Sequence, residues 1–222
     1  MRREDLDLTK YKSDKLDYLK YYDPIFLPFL DMHISLLELG ILEGASLLLW
    51  KDYFINSNIV GIDIHLPDNF QPPERIKIFE GSQDDTLFLT TVANSTAPNG
   101  FDIIIDDASH LGELSKKSFW HLFNNHLKPG GIYAIEDWGT GYWEDWPDGA
   151  YLDLDEQESK FGKVSKKPLP CHSNGMVGFI KQLIDEQGAI DVTRDNKNRR
   201  PSKFERLIIY PGLVFVIKRN NV

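Results

Sequence analysis

Two acidic clusters hold the residues of this chain best suited to chemistry. Asp106-Asp107-Ala108-Ser109-His110 ends the apolar run Phe101-Asp-Ile-Ile-Ile, and Glu136-Asp137 ends Gly131-Ile-Tyr-Ala-Ile. An apolar, β-branched run that stops at carboxylates reads as a buried parallel strand delivering polar groups to the carboxyl edge of a sheet, where open α/β sheets bind ligands. Carboxylates and an imidazole would converge there. Oxygen donors of this kind suit Mg²⁺ or Ca²⁺, and His110 beside them could accept a proton. Taken singly, Asp107 would more often be a helix N-cap and His110 a surface or core histidine; the company of Glu136 and Asp137 favours metal and base. Asp106 could stay off the metal and hydrogen-bond the loop or a cofactor.

Strands must carry these groups. Strand-like runs at 34–39, 59–64, 75–79, 101–105 and 132–135 alternate with helix-like segments at 45–54, 86–93 and 114–126. That alternation predicts right-handed βαβ units and a doubly wound, Rossmann-like α/β fold with a mostly parallel sheet. Residues 1–30 are charged and tyrosine-rich, and Leu16, Leu19, Tyr22, Ile25 and Phe26 have the spacing of a helical cover. After a helix-like segment at 177–186, the strand-like runs 204–210 and 213–218 are separated only by Pro211-Gly212. Two residues close an antiparallel hairpin but not a parallel crossover. Dinucleotide-binding Rossmann folds usually finish parallel, whereas the class I methyltransferase fold finishes with this kind of hairpin.

The first strand leads into Glu38-Leu39-Gly40-Ile41-Leu42-Glu43-Gly44-Ala45-Ser46, a glycine-rich turn that opens a helix. Gly40 and Gly44 permit a tight turn and close backbone approach to a ligand, yet the spacing is not Gly-x-Gly-x-x-Gly. Glu38 is poorly matched to a pyrophosphate and well matched to an ammonium, such as that of S-adenosylmethionine. Asp63, closing the second strand, is placed to accept hydrogen bonds from ribose hydroxyls, and Ser82, Gln83 and Asp84 follow the third strand where an adenine would lie. With Ser46 and Asp106, these residues form the expected cofactor site. The plainer alternative is that the glycines only shape a turn and Asp63 solvates a strand end.

Leu36-Leu-Glu-Leu-Gly-Ile-Leu-Glu-Gly-Ala-Ser, Trp50-Lys-Asp-Tyr-Phe, Gly61-Ile-Asp-Ile, the run from Phe101 to His110 and Lys128-Pro-Gly-Gly-Ile-Tyr-Ala-Ile-Glu-Asp-Trp resemble the macrolide sugar O-methyltransferases of the macrocin and mycinamicin type. The resemblance implies methyl transfer from S-adenosylmethionine to a deoxysugar hydroxyl. It also implies Mg²⁺ held by Asp107, Glu136 and Asp137, with His110 as the catalytic base. Ser13-Asp14-Lys15 resembles a family motif that closes over the cofactor, and a homo-oligomer is the family expectation. An aliphatic hydroxyl is a poor nucleophile at neutral pH; metal coordination through Asp107 would acidify it, and a positioned base contributes roughly 10²–10⁴-fold.

Composition narrows the partners. A chain of 222 residues, 41% hydrophobic, is expected to form one domain, residues 1–222. The single cysteine, Cys171, excludes an internal disulfide framework and suits a reducing cytosol. Met1-Arg-Arg-Glu-Asp is too charged for a signal peptide and no apolar run spans a bilayer, so a cytoplasmic protein without membrane partners is expected. A net charge of −9 disfavours nucleic acid and favours small or neutral ligands; the family resemblance implies that the partner is a small-molecule hydroxyl acceptor, a glycosylated metabolite. Residues 138–174 hold Trp138, Tyr142, Trp143, Trp146 and Tyr151 without clear periodicity, and read as an acceptor lid or a subunit interface. Rival readings are a methyltransferase for a phenolic or catechol acceptor and a non-catalytic adenosyl-binding module.

Overall fold

A computed structural model describes residues 6–143, 145–151, 173–194 and 199–220. The strands are β1 (Ile34–Leu39), β2 (Ser57–Asp63), β3 (Ile76–Glu80), β4 (Phe101–Asp106), β5 (Leu127–Glu136), β6 (Phe204–Tyr210) and β7 (Leu213–Lys218). The helices are α1 (Lys15–Phe26), α2 (Ala45–Tyr53), α3 (Thr86–Thr96), α4 (Gly112–Asn125), α5 (Gly175–Gln187) and the short α6 (Ala189–Val192). The seven strands form one sheet in the order β3-β2-β1-β4-β5-β7-β6. Pairings among β1 to β5 are parallel, while β7 runs antiparallel to both β5 and β6. The predicted hairpin is the reason: Tyr210 pairs with Leu213 across Pro211-Gly212, and Gly212 turns at φ +74°.

Alternation along each strand sorts the core into two layers. Leu37, Leu39, Ile104, Tyr133 and Ile135 face Phe119, Phe123 and Phe179 on one side. Leu36, Ile103, Ile105, Ala134 and Phe215 face Tyr22, Phe26, Trp50 and Phe54 on the other. The helical cover expected at 1–30 is thus α1 lying on the second face, apart from residues 1–5, which lie outside the described residues. β5 begins earlier than expected, at Leu127. Phe101 pairs with Leu127 and Ile103 with Ile132, so Lys128-Pro129-Gly130-Gly131 bulges out of register, as a proline without an N–H requires. Of the expected lid, residues 144 and 152–172 lie outside the described residues; the rest contributes single turns at Trp138–Tyr142 and Gly149–Tyr151. Among the described residues, no helix is long and apolar enough to cross a membrane.

Candidate functional site

The two-residue period decides which face each carboxylate reaches. Ile105 belongs to the α1 face, and Asp107, two residues on, points the same way. Glu38 and Glu136 follow Leu36 and Ala134 onto that face. Asp106 has the opposite parity and reaches the other layer, where it accepts from Gln83 Nε2 at 3.1 Å and Ser118 Oγ at 2.9 Å. Burial pushes its carboxyl up to about 6 against the hydrogen bond from Ser118. Gln83 in turn accepts the amide of Ser109 at 3.0 Å, so Asp106 braces the loop that carries His110.

One face of α1 grips the other carboxylates. Lys15, Tyr18 and Tyr22 are spaced i, i+3, i+7 and so share one side of the helix. The Lys15 ammonium, 1% exposed, bonds Asp107 Oδ2, lies 3.1 Å from Glu136 Oε2 and stands 3.6 Å from Glu38 Oε1. Tyr18 donates to Asp137 Oδ1 at 2.6 Å, and Tyr22 donates to Glu136 Oε1. Glu38 also accepts from Ser46 Oγ at 2.8 Å and Trp50 Nε1 at 3.3 Å. Burial raises the carboxyls of Asp107 and Glu136, with Lys15 opposing, and lifts Glu38 to about 7. Burial alone would lower the Lys15 ammonium, yet the attraction of Glu136, Asp107 and Glu38 outweighs it and holds the group charged.

Two carboxylate oxygens remain outside this grip. Asp107 Oδ1 and Asp137 Oδ2 each lie 3.8 Å from His110 Nε2. Ligand atoms of Asp107, His110 and Asp137 fall within 4.8 Å of one another, so this cluster can surround a cation. Both His110 and Asp137 adopt left-handed backbone, at φ +51° and +52°, conformations uncommon outside glycine that concentrate at functional sites. The Asp137 backbone N–H donates a hydrogen bond to Gly212 O at 2.6 Å. The His110 carbonyl accepts from Trp146 Nε1 at 3.1 Å and Thr140 Oγ1 at 3.3 Å, and the Trp146 ring lies 6.0 Å from the imidazole. The first part of the expected lid therefore fastens the loop bearing His110.

A cavity of about 610 Å³ opens beside this cluster, within the range of small-molecule sites. Gly40, Ser46 and Asp63 line one side, Ser82 and Gln83 a second, and Asp107 and His110 the third. Ser13, Asp14 and Lys15 of the N-terminal segment also line it. Asp63 Oδ2 accepts the amides of Ile41 at 2.8 Å and Leu42 at 3.0 Å, and Oδ1 that of His65 at 3.2 Å. A carboxylate offers about four acceptor sites, which leaves one for a ligand hydroxyl.

Several expected cofactor residues stand away from the cavity. Glu38 is not among the residues lining it and stands 3.6 Å from the Lys15 ammonium. Asp84 turns to Ser82 and Lys117, at 2.7 and 3.1 Å, and Asp106 faces the opposite layer. Gly44 begins α2 at φ +81°, where a Cβ would strike the Phe70 ring; at Gly40, φ +82°, a Cβ would run into the Asp107 carbonyl. The close approach that demands these glycines is thus internal. Glu136 is brought to the cluster, but Lys15 and Tyr22 take both its oxygens.

The strand order with its reversed β7, the glycine turn after β1 and the acidic ends of β4 and β5 define the class I methyltransferase fold. Over 96% of its length the chain is 32% identical to mycinamicin VI 2''-O-methyltransferase of Micromonospora griseorubida, and over 92% it is 32% identical to demethylmacrocin O-methyltransferase of Streptomyces fradiae. Among solved structures it is similar to the MycE methyltransferase of mycinamycin biosynthesis, seen in complex with Mg, S-adenosylhomocysteine and mycinamycin VI, with a TM-score of 0.69 at 31% identity over 92% of the chain. The chain spans about half the length of these relatives: 52% and 49% of the two enzymes, and 50% of the solved chain. No family model matches it. The chain is therefore a relative of sugar O-methyltransferases of the mycinamicin and macrocin type.

Proposed function

We propose that the protein is an S-adenosylmethionine-dependent O-methyltransferase acting on a sugar or polyol hydroxyl of a small natural product. The observation that carries this reading is the cavity's continuity, from the glycine turn and Asp63 to Asp107 and His110. The oxygens of Asp107 and Asp137 outside the α1 grip fit a hard divalent cation, which takes one or two carboxylates and leaves other positions to water or substrate. A bound cation would lower the pKa of an acceptor hydroxyl. The chain's own groups do the rest. His110 Nε2 takes the hydroxyl proton as the oxygen bonds the methyl carbon and the carbon–sulfur bond breaks, its electron pair staying on sulfur. Asp63 receives the ribose, and Ser82 and Gln83 border the adenine. Residues 138–174 cover the acceptor, a role supported by the bonds of Thr140 and Trp146 to the His110 loop.

The reading extends to a single domain over residues 1–222, a cytoplasmic location suited to one cysteine, and the homo-oligomer that the family resemblance favours. MycE bound to Mg and mycinamycin VI supports a glycosylated acceptor. The test is transfer of a labelled methyl group from S-adenosylmethionine to macrolides bearing an unmethylated deoxysugar. Transfer should occur with Mg²⁺, cease in EDTA and return on adding Mg²⁺. Turnover undiminished by chelation would remove the cation, and transfer only to catechols would change the acceptor class.

A further inference from the structure

His110 lines the cavity from a backbone that residues with a Cβ rarely adopt, since its φ of +51° lies in the left-handed region. Such a conformation persists only where the surrounding structure over-determines it. We propose that Trp146, with Thr140 and Asp148, supplies that constraint, and that these three are positioning residues acting on the reaction through the His110 backbone. This rests on the base role given to His110 above and adds the side chains that aim it.

The amides on either side of His110 are secured locally: Ser109 N donates to Gln83 Oε1 at 3.0 Å, and Leu111 N to Ser109 Oγ at 3.2 Å. The carbonyl of His110 is secured from after β5. It accepts from Trp146 Nε1 at 3.1 Å and Thr140 Oγ1 at 3.3 Å, which occupies both of its lone pairs. Two residues on, the Gly112 amide donates to Asp148 Oδ2 at 2.7 Å. The Trp146 ring, 6.0 Å from the imidazole, bounds the side chain as well. Residues 140–148 are themselves fixed. Trp143 N donates to Thr140 O, Trp146 N to Trp143 O and Gly149 N to Trp146 O, each at 3.0 Å, and these tight turns bring Thr140 and Trp146 to one carbonyl. Asp148 Oδ2 also accepts the Met176 amide at 2.7 Å, and a Cβ on Gly175, φ +54°, would strike the Asp148 carboxyl, so the clamp is seated on the N-terminus of α5. Thr140, Trp146 and Asp148 are not among the residues lining the cavity, so their route to the chemistry runs through His110.

The test is nuclear magnetic resonance of the full chain labelled with ¹³C at histidine Cε1, with Mg²⁺ and S-adenosylhomocysteine present, the His110 signal being the one lost in His110→Ala. Wild type should give one sharp His110 signal. Trp146→Phe, which removes the indole N–H and keeps an aromatic ring, should broaden or split that signal and leave those of the other histidines in place. In methyl transfer to macrolides bearing an unmethylated deoxysugar, the same variant should lose roughly tenfold or more in kcat, with KM for S-adenosylmethionine and acceptor changed less than about threefold. In a His110→Ala background the Trp146→Phe loss should vanish, because a group that acts through the imidazole then has nothing to aim. If Trp146→Phe does not fold, Thr140→Val removes the second donor at nearly constant shape and decides by the same readouts. An unchanged His110 signal, a raised acceptor KM with kcat intact, or a kcat loss that persists in the His110→Ala background would overturn the proposal. No methyl transfer by wild type would instead overturn the base role of His110, a failure that the imidazole signal tells apart from failure of the clamp.

Discussion

Glu38 is a carboxyl whose burial raises its pKa to about 7 from 4.5, with the Lys15 charge opposing the shift. The folded group binds its proton more tightly than the unfolded one, so its contribution to stability is fully present below about pH 4.5 and is lost as pH rises toward 7, by about 3 kcal/mol. Urea unfolding in EDTA across that window should show the decline in wild type and a flatter profile in Glu38→Gln; parallel profiles would mean Glu38 does not titrate there. Asp63 belongs to the same scale, since its Oδ2 fastens the Ile41 and Leu42 amides beside the cavity. Asp63→Ala should weaken S-adenosylhomocysteine binding by on the order of 1.5–3 kcal/mol in calorimetry. Unchanged affinity in a folded variant would take Asp63 out of the site.

Helix starts and strand ends make the site, and Asp148 joins two of those starts. Its Oδ2 accepts the amides of Gly112 and Met176, both at 2.7 Å, at the N-termini of α4 and α5. Losing two helix-terminal capping hydrogen bonds worth roughly 0.5–2 kcal/mol each should lower stability by about 1–4 kcal/mol in Asp148→Ala. Thermal unfolding checks this, and an unshifted midpoint would contradict it. The strands are legible in the sequence because each apolar run ends at a turn or a carboxylate, and the closing hairpin because two residues allow no other connection. Parity along Phe101 to Asp107 likewise sends Asp106 and Asp107 to opposite faces of the sheet. The role of Lys15 is harder to read. Its i, i+3, i+7 relation to Tyr18 and Tyr22 is visible, but what that face meets depends on α1 docking across β4 and β5, a long-range contact that no local pattern encodes. Gly44 and Asp84 stand outside the cavity lining for a related reason: Phe70 and Lys117, which meet those positions, come from distant segments.

At the scale of the whole molecule, the sheet order puts β1 and β4 side by side, so the glycine turn after one and the acidic end of the other flank a single cavity. α1 closes one side of that junction and the Trp138–Tyr142 turn fastens another. The proposed cofactor half of this architecture lies in β1 to β4, whereas the expected acceptor cover follows β5. Shortening residues 152–172 should therefore impair acceptor use and spare cofactor affinity, as parallel kinetics and calorimetry would show. The central claim is that the cavity is an adenosyl site feeding a methyl-transfer centre. Calorimetric titration of the purified chain with S-adenosylhomocysteine tests it most directly. The account predicts one site per chain that persists in EDTA and is not displaced by NAD; no binding of S-adenosylhomocysteine, or its displacement by NAD, would contradict it.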